Sequence, residues 1–150
     1  MTEGQKQALS HAGKMLGMRM MTCRELLDKL RQKGYCEEDS LFAVRRMEEI
    51  GAIDDLEYAR RYAGSKASAG YGELRIRREL RARGIDPVLI DEALTGIPDS
   101  REQIEEYLKS RIKTSSLDRK EAKRISDALA RRGFRWEDIS AVMREYLEED

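Results

Sequence analysis

One histidine, two cysteines and two prolines are all that this 150-residue chain has of those residues. Cys23 and Cys36 form no C-x-x-C motif and His11 stands alone, so neither a metal site nor a disulfide framework is expected. The reading is of reduced thiols in a cytoplasmic protein. A single histidine suggests no Ser-His-Asp arrangement. The small glycine cluster Ala69-Gly70-Tyr71-Gly72 lacks both a following Lys-Ser/Thr and a preceding strand, which excludes a phosphate loop. No cofactor and no catalytic residue is therefore expected, and the chain does not read as an enzyme. No apolar run approaches the roughly 20 residues of a membrane-spanning helix, and the first residues show no signal-peptide pattern. Aromatic residues make up 6% and net charge is zero, with 29 basic and 29 acidic residues. The absence of net charge excludes a global polyanion-binding signature.

What is present is segregated charge. From Glu37 to Glu57 the chain is acidic apart from Arg45 and Arg46. From Tyr71 to Gly84 five arginines face only Glu73 and Glu79, and from Trp136 to Asp150 six acids face only Arg144. Charged residues reach 39%, which favours helices with wide solvated faces.

The chain also repeats itself. LLDKLRQKGY (26–35), IRRELRARGI (76–85) and ISDALARRGF (125–134) share an apolar residue, a leucine four positions later, a basic residue, a glycine and a large apolar residue. Apolar residues at i and i+4 mark one buried helix face. Glycine beyond the last turn supplies a left-handed cap, and the basic residue suits the negative helix end. After each glycine a second helix is expected. Asp86-Pro87 is its clearest start, Ile85 and Ile90 form a hydrophobic staple, and Ile90, Ala93 and Leu94 line one face. Ile139, Val142 and Met143 hold the same offsets in the third segment, and Ser40, Ala43 and Val44 in the first. Ser40 stands where an aliphatic residue is expected, so looser packing is predicted there.

A further helix precedes each pair: one near residues 5–19, one opened by Asp54-Asp55 and carrying Tyr58, Ala59, Tyr62 and Ala63, and one opened by Asp99 with Glu102. Thr22 with Glu25, and Asp118 with Glu121, read as capping boxes. Asp54-Asp55 reads as an N-cap with a first-turn acid. Tyr58 and Tyr62 read as packing residues, and Trp136 as a lid on its own unit. The expectation is an all-α protein of about nine short helices. They form three tandem three-helix repeats, 1–50, 51–96 and 97–150, in an elongated, curved array. KTSSLD, 113–118, is the expected joint.

Arg75, Arg77, Arg78, Arg81 and Arg83 are the candidate partner- or DNA-binding residues. Arg75, Arg81 and Arg83 have basic counterparts in the sister repeats. Arg77 and Arg78 do not: Leu27 and Asp28 stand there in the first repeat, Ser126 and Asp127 in the third. A solvated helix face and recognition of phosphate or carboxylate by guanidinium forks both fit these two.

ALSHAGKMLGMR, TCRELLDKLRQKGY, IGAIDDLEYARRY, GELRIRRELRARGIDPVLIDEAL and DALARRGFRWEDISAVM together resemble the RecX family of bacterial regulators, over residues 8–147. The most specific stretches are Gly51–Ala59 and Arg75–Ile85. The resemblance implies a non-enzymatic partner of the RecA recombinase and of the RecA–DNA filament. Such a protein lies in the filament groove and inhibits ATP hydrolysis and strand exchange. It thereby restrains homologous recombination, DNA repair and the SOS response. The expected species is a monomer, with single- or double-stranded DNA as a further partner. Neutral net charge argues for modest affinity toward bare DNA. The alternative is a helical DNA- or RNA-binding adaptor that acts without RecA.

Overall fold

The computed structural model describes residues 1–112 and 117–147. The expected joint therefore lies outside the described residues over 113–116, as do the three terminal acids 148–150. Among the described residues the regular elements are helices: α1 (Glu3–Met18), α2 (Cys23–Gln32), α3 (Glu37–Glu49), α4 (Asp55–Ser68), α5 (Glu73–Ala82), α6 (Pro87–Leu94), α7 (Ser100–Arg111), α8 (Arg119–Arg131) and α9 (Trp136–Tyr146). A single isolated bridge pairs Leu117 with Leu147. The all-α class is as expected.

The helix starts follow from their caps. Thr22 Oγ1 accepts the Glu25 N–H at 3.1 Å, and Glu25 Oε1 accepts the Thr22 N–H at 3.0 Å, a complete capping box. Thr2 and Gln5 form a second box, at a start that composition alone did not mark. Asp118 accepts from Glu121 at 2.8 Å, Asp86 from Val88 at 2.8 Å and Asp54 from Glu57 at 3.1 Å. The three repeated ends share one geometry. Gly84 and Gly133 have φ of 82° and 98°, a region that a β-carbon disfavours, and Gly34 matches them. The N–H groups of Tyr35, Ile85 and Phe134 each reach back to Leu30, Leu80 and Leu129 at 3.2 Å. This is the Schellman pattern, and it satisfies carbonyls that the helix end leaves open.

Two compact units are present. One holds Met1–Arg61 with Leu80–Ala93, the other Tyr62–Glu79 with Leu94–Asp150. In the first, Ala8, Ala12, Leu26, Leu30, Ala43, Val44, Met47 and Ile53 form the core. Gly4, Ala8 and Ala12 recur on one face of α1, and a β-carbon on Gly4 would lie 2.2 Å from the Asp39 carboxylate of α3. Small residues on α1 are therefore needed for this approach. Ser40 is fully buried, with its hydroxyl 3.5 Å from the Tyr35 carbonyl. The predicted loosening at Ser40 does not occur, because its small volume suits the tight contact. In the same unit Thr22 Oγ1 also donates to the Arg83 carbonyl at 2.7 Å, and a β-carbon on Gly84 would fall 2.4 Å from that of Arg24. The turn after α5 thus rests on the start of α2.

In the second unit Ile104, Leu108, Leu117, Leu129, Phe134, Ile139, Val142 and Met143 form the core. Here the turn after α8 rests on the start of α5. Gly72 N–H donates to Arg132 O at 2.8 Å and Leu74 N–H to Gly133 O at 2.9 Å. Trp136 is not a lid: it is 61% exposed. It stands on the first turn of α9, two residues past the buried Phe134, and its side chain faces water.

Candidate interaction surface

The arginines of α5 and the turn after it fall into two groups. Arg75 Nε donates to Glu79 at 3.0 Å, and its guanidinium lies 4.1 Å from the Tyr71 ring centre. Arg77 pairs with Glu73 at 3.2 Å. Arg83 hydrogen-bonds the Tyr58 hydroxyl and sits 5.9 Å over its ring. These three guanidinium groups are engaged in holding their own units together. Arg78 and Arg81 are exposed and make no ion pair among the described residues.

Departure from the repeat template therefore singled out one residue of each kind. A local rule separates them better. Glu73 stands four residues before Arg77, and Glu79 four after Arg75, the spacing of a helical ion pair. Arg78 and Arg81 have no acid at that spacing on either side.

Electrostatics around Glu73 support this division. Burial works against its negative charge, but hydrogen bonds from Arg135 and Arg77 outweigh burial and hold its carboxyl below the usual glutamate range. The Tyr62 hydroxyl bonds Glu79 and, with Arg75, lowers that carboxyl too. Tyr58 is buried and Tyr62 half-buried, so both are packing and bonding residues, as expected.

The Gly51–Ala59 stretch is architectural. Asp54 caps α4, as its position predicts. Asp55 does something spacing could not reveal: its carboxylate accepts the Cys23 N–H at 2.9 Å, at the start of α2. An acid at that end meets unpaired N–H groups and the positive helix pole. Burial nevertheless raises the Asp55 pKa, against the hydrogen bonds from Cys23. Burial, then the charge of Asp55 and the Glu48 carboxylate, pushes the Cys23 thiol far above its usual range.

Comparison with known proteins fits this architecture. A family model described as RecX, second three-helix domain, matches residues 54–94. The Regulatory protein RecX of Chlorobaculum tepidum is 34% identical over 154 residues, covering 100% of this chain and 95% of the relative. The chain belongs to the RecX family. The Regulatory protein RecX of Mycobacterium sp. strain JLS is 31% identical over 87% of the chain and 76% of the relative. The crystal structure of RecX from Lactobacillus salivarius superposes with a TM-score of 0.82 at 23% identity, over 97% of this chain and 98% of that one. At that identity the likeness establishes a shared RecX fold. Among the described residues, no helix of this RecX-family chain is long and apolar enough to cross a membrane.

Proposed function

We propose that the protein is a non-enzymatic regulator that binds the RecA recombinase and its DNA filament as a monomer. It lowers ATP hydrolysis and strand exchange, and so restrains recombination, repair and the SOS response. The observation that carries this is the full-length match to a relative named as a RecX regulatory protein. On this reading the segments 1–50, 51–96 and 97–150 are three-helix repeats, and the middle repeat presents Arg78 and Arg81 to the partner. Two exposed guanidinium groups on successive turns of one helix suit carboxylates or phosphates. Arg75, Arg77 and Arg83 act by positioning that helix.

The test is RecA's single-strand-dependent ATPase with increasing protein. A fall at equimolar or lower ratio is expected, and Arg78→Glu with Arg81→Glu should weaken it while leaving helicity intact. Unchanged ATPase with no filament binding would sink the proposal. Binding to free single strands that collapses steeply with salt, without any effect on RecA, would point instead to the nucleic-acid adaptor.

A further inference from the structure

Helix α4 meets the corner between α1 and α2 at two points. At one, Asp55 accepts the Cys23 N–H at 2.9 Å. At the other, Arg61 directs Nη1 at the Met20 sulfur, 3.7 Å away. The Arg61 Nε is held at the same time by Glu57, one turn earlier, at 2.8 Å. The Met20 backbone is held as well, because Arg19 donates to its carbonyl at 3.2 Å. All of these residues belong to the first unit.

A thioether sulfur is a weak acceptor, so a guanidinium N–H aimed at it is poorly matched. The same corner carries three thioethers within four residues, Met18, Met20 and Met21. Met21 is buried, whereas Met18 is 86% and Met20 42% exposed. Both of the exposed sulfurs are open to small oxidants in water. Met18 has no cationic donor among the described residues. Met20 has one, and Glu57 fixes it in place.

We propose that Met20 is a site of reversible oxidation by peroxides, and that Arg61 receives the oxygen it gains. A sulfur lone pair attacks one peroxide oxygen as the O–O bond breaks. The S–O bond forms and sulfur gives up two electrons. The proton of the transferred hydroxyl passes to the departing hydroxide, which leaves as water. The sulfoxide oxygen then accepts a charge-assisted hydrogen bond where the sulfur accepted only a weak one. Modification therefore tightens the seat of α4, the reverse of what oxidation does to a buried methionine. The proposal goes beyond the regulatory reading and does not rest on it.

The experiment treats the full chain with dilute hydrogen peroxide and follows it by peptide mass spectrometry and amide hydrogen exchange. One added oxygen is expected on Met20 and on Met18, with Met21 and Met47 spared by burial. Exchange at the amides of residues 58–61 should slow about threefold on oxidation, the effect of one hydrogen bond at a wet site. A methionine sulfoxide reductase should restore the original rate. Arg61→Ala, at a side chain 68% exposed, should be oxidised as readily and show no slowing. Met20→Leu should show none either, while Met18→Leu should keep it in full. Slowing that persists in Arg61→Ala or in Met20→Leu overturns the proposal. So does unchanged or faster exchange in the oxidised wild type, or a Met20 that stays reduced while Met18 is oxidised. None of these measurements reads the RecA ATPase, so the two proposals fail separately.

Discussion

At the turn after α5, Arg83 offers its carbonyl to the Thr22 hydroxyl; at the turn after α8, Arg132 and Gly133 offer theirs to the Gly72 and Leu74 N–H groups. Both turns are the same Schellman cap, and both press so close that a β-carbon on the glycine would fall 2.4 Å from an arginine β-carbon, Arg24 in one and Arg75 in the other. What differs is the acceptor's partner. In the first unit a side chain reaches across from an N-cap threonine that is itself fully buried. In the second, backbone meets backbone, because Gly72 has no side chain to interpose. A β-carbon on Gly72 would lie 2.6 Å from the Gly133 carbonyl. The third copy of the turn, at Gly34, has open space around it. Turn geometry and turn docking are thus separate requirements on one residue type.

Alanine at the three glycines separates them, and the largest effects are expected here. Gly34→Ala should cost about 1–2 kcal/mol, the strain of a β-carbon at positive φ. Gly84→Ala and Gly133→Ala should add about 1–3 kcal/mol of overlap to the same strain. Chemical-denaturation midpoints measure all three, and equal losses would mean that docking contributes nothing. Next in size is Thr22. Thr22→Ala removes the α2 cap and the bond to Arg83, together about 2 kcal/mol. Thr22→Ser keeps both bonds and loses one methyl group, about 0.8 kcal/mol. A serine variant as unstable as the alanine one would assign the site to packing instead.

The two units also answer to pH with opposite signs. Burial lifts the folded pKa of Asp55 above its ordinary 3.8, so the folded state holds that proton more tightly than the unfolded chain does. Its contribution is full below 3.8 and is lost as pH rises through the folded value. Glu73 is the reverse. Its folded pKa lies below 4.5, because Arg135 and Arg77 outweigh burial. Its contribution is present above 4.5 and is lost as pH falls through the folded value. Each contribution is on the order of 1 kcal/mol or less, given partial exposure. Asp55→Asn, which keeps an acceptor for the Cys23 N–H, should flatten the decline of stability toward neutral pH. Glu73→Gln should flatten the acid side. Identical pH profiles for the two variants would contradict the contrast between the units.

The helices were legible in the sequence because their signals are local. Gly34, Gly84 and Gly133 mark ends, Thr22, Asp86 and Asp118 mark starts, and the leucine four residues on marks the buried face. The misjudged positions depend on distant chain. Ser40 looked like a defect until α1 brought Gly4 and Ala8 against α3. Trp136 looked like a lid because it follows the third glycine turn, but its side chain is mostly in water. Asp55 is the first-turn acid it was read as, and only the fold could show its carboxylate also at the start of α2. Arg77 is a different case, since Glu73 four residues away was visible. Comparison across repeats concealed what comparison along the helix would have shown.

That distinction carries the smallest expected effect on stability. Arg77→Ala breaks a half-buried pair to Glu73, which also holds Arg135 at 3.0 Å, so it should lower stability by about 0.5–1 kcal/mol and weaken the acid-side profile. Arg78→Glu with Arg81→Glu touches no partner among the described residues and should change stability by less than about 0.5 kcal/mol. If the two exposed arginines meet the regulated protein, the order reverses in the RecA ATPase assay: the double reversal should abolish most inhibition, while Arg77→Ala leaves it near wild type. Equal loss of inhibition from both variants would mean that α5 acts through its shape alone, and that its free charges are only a solvated face.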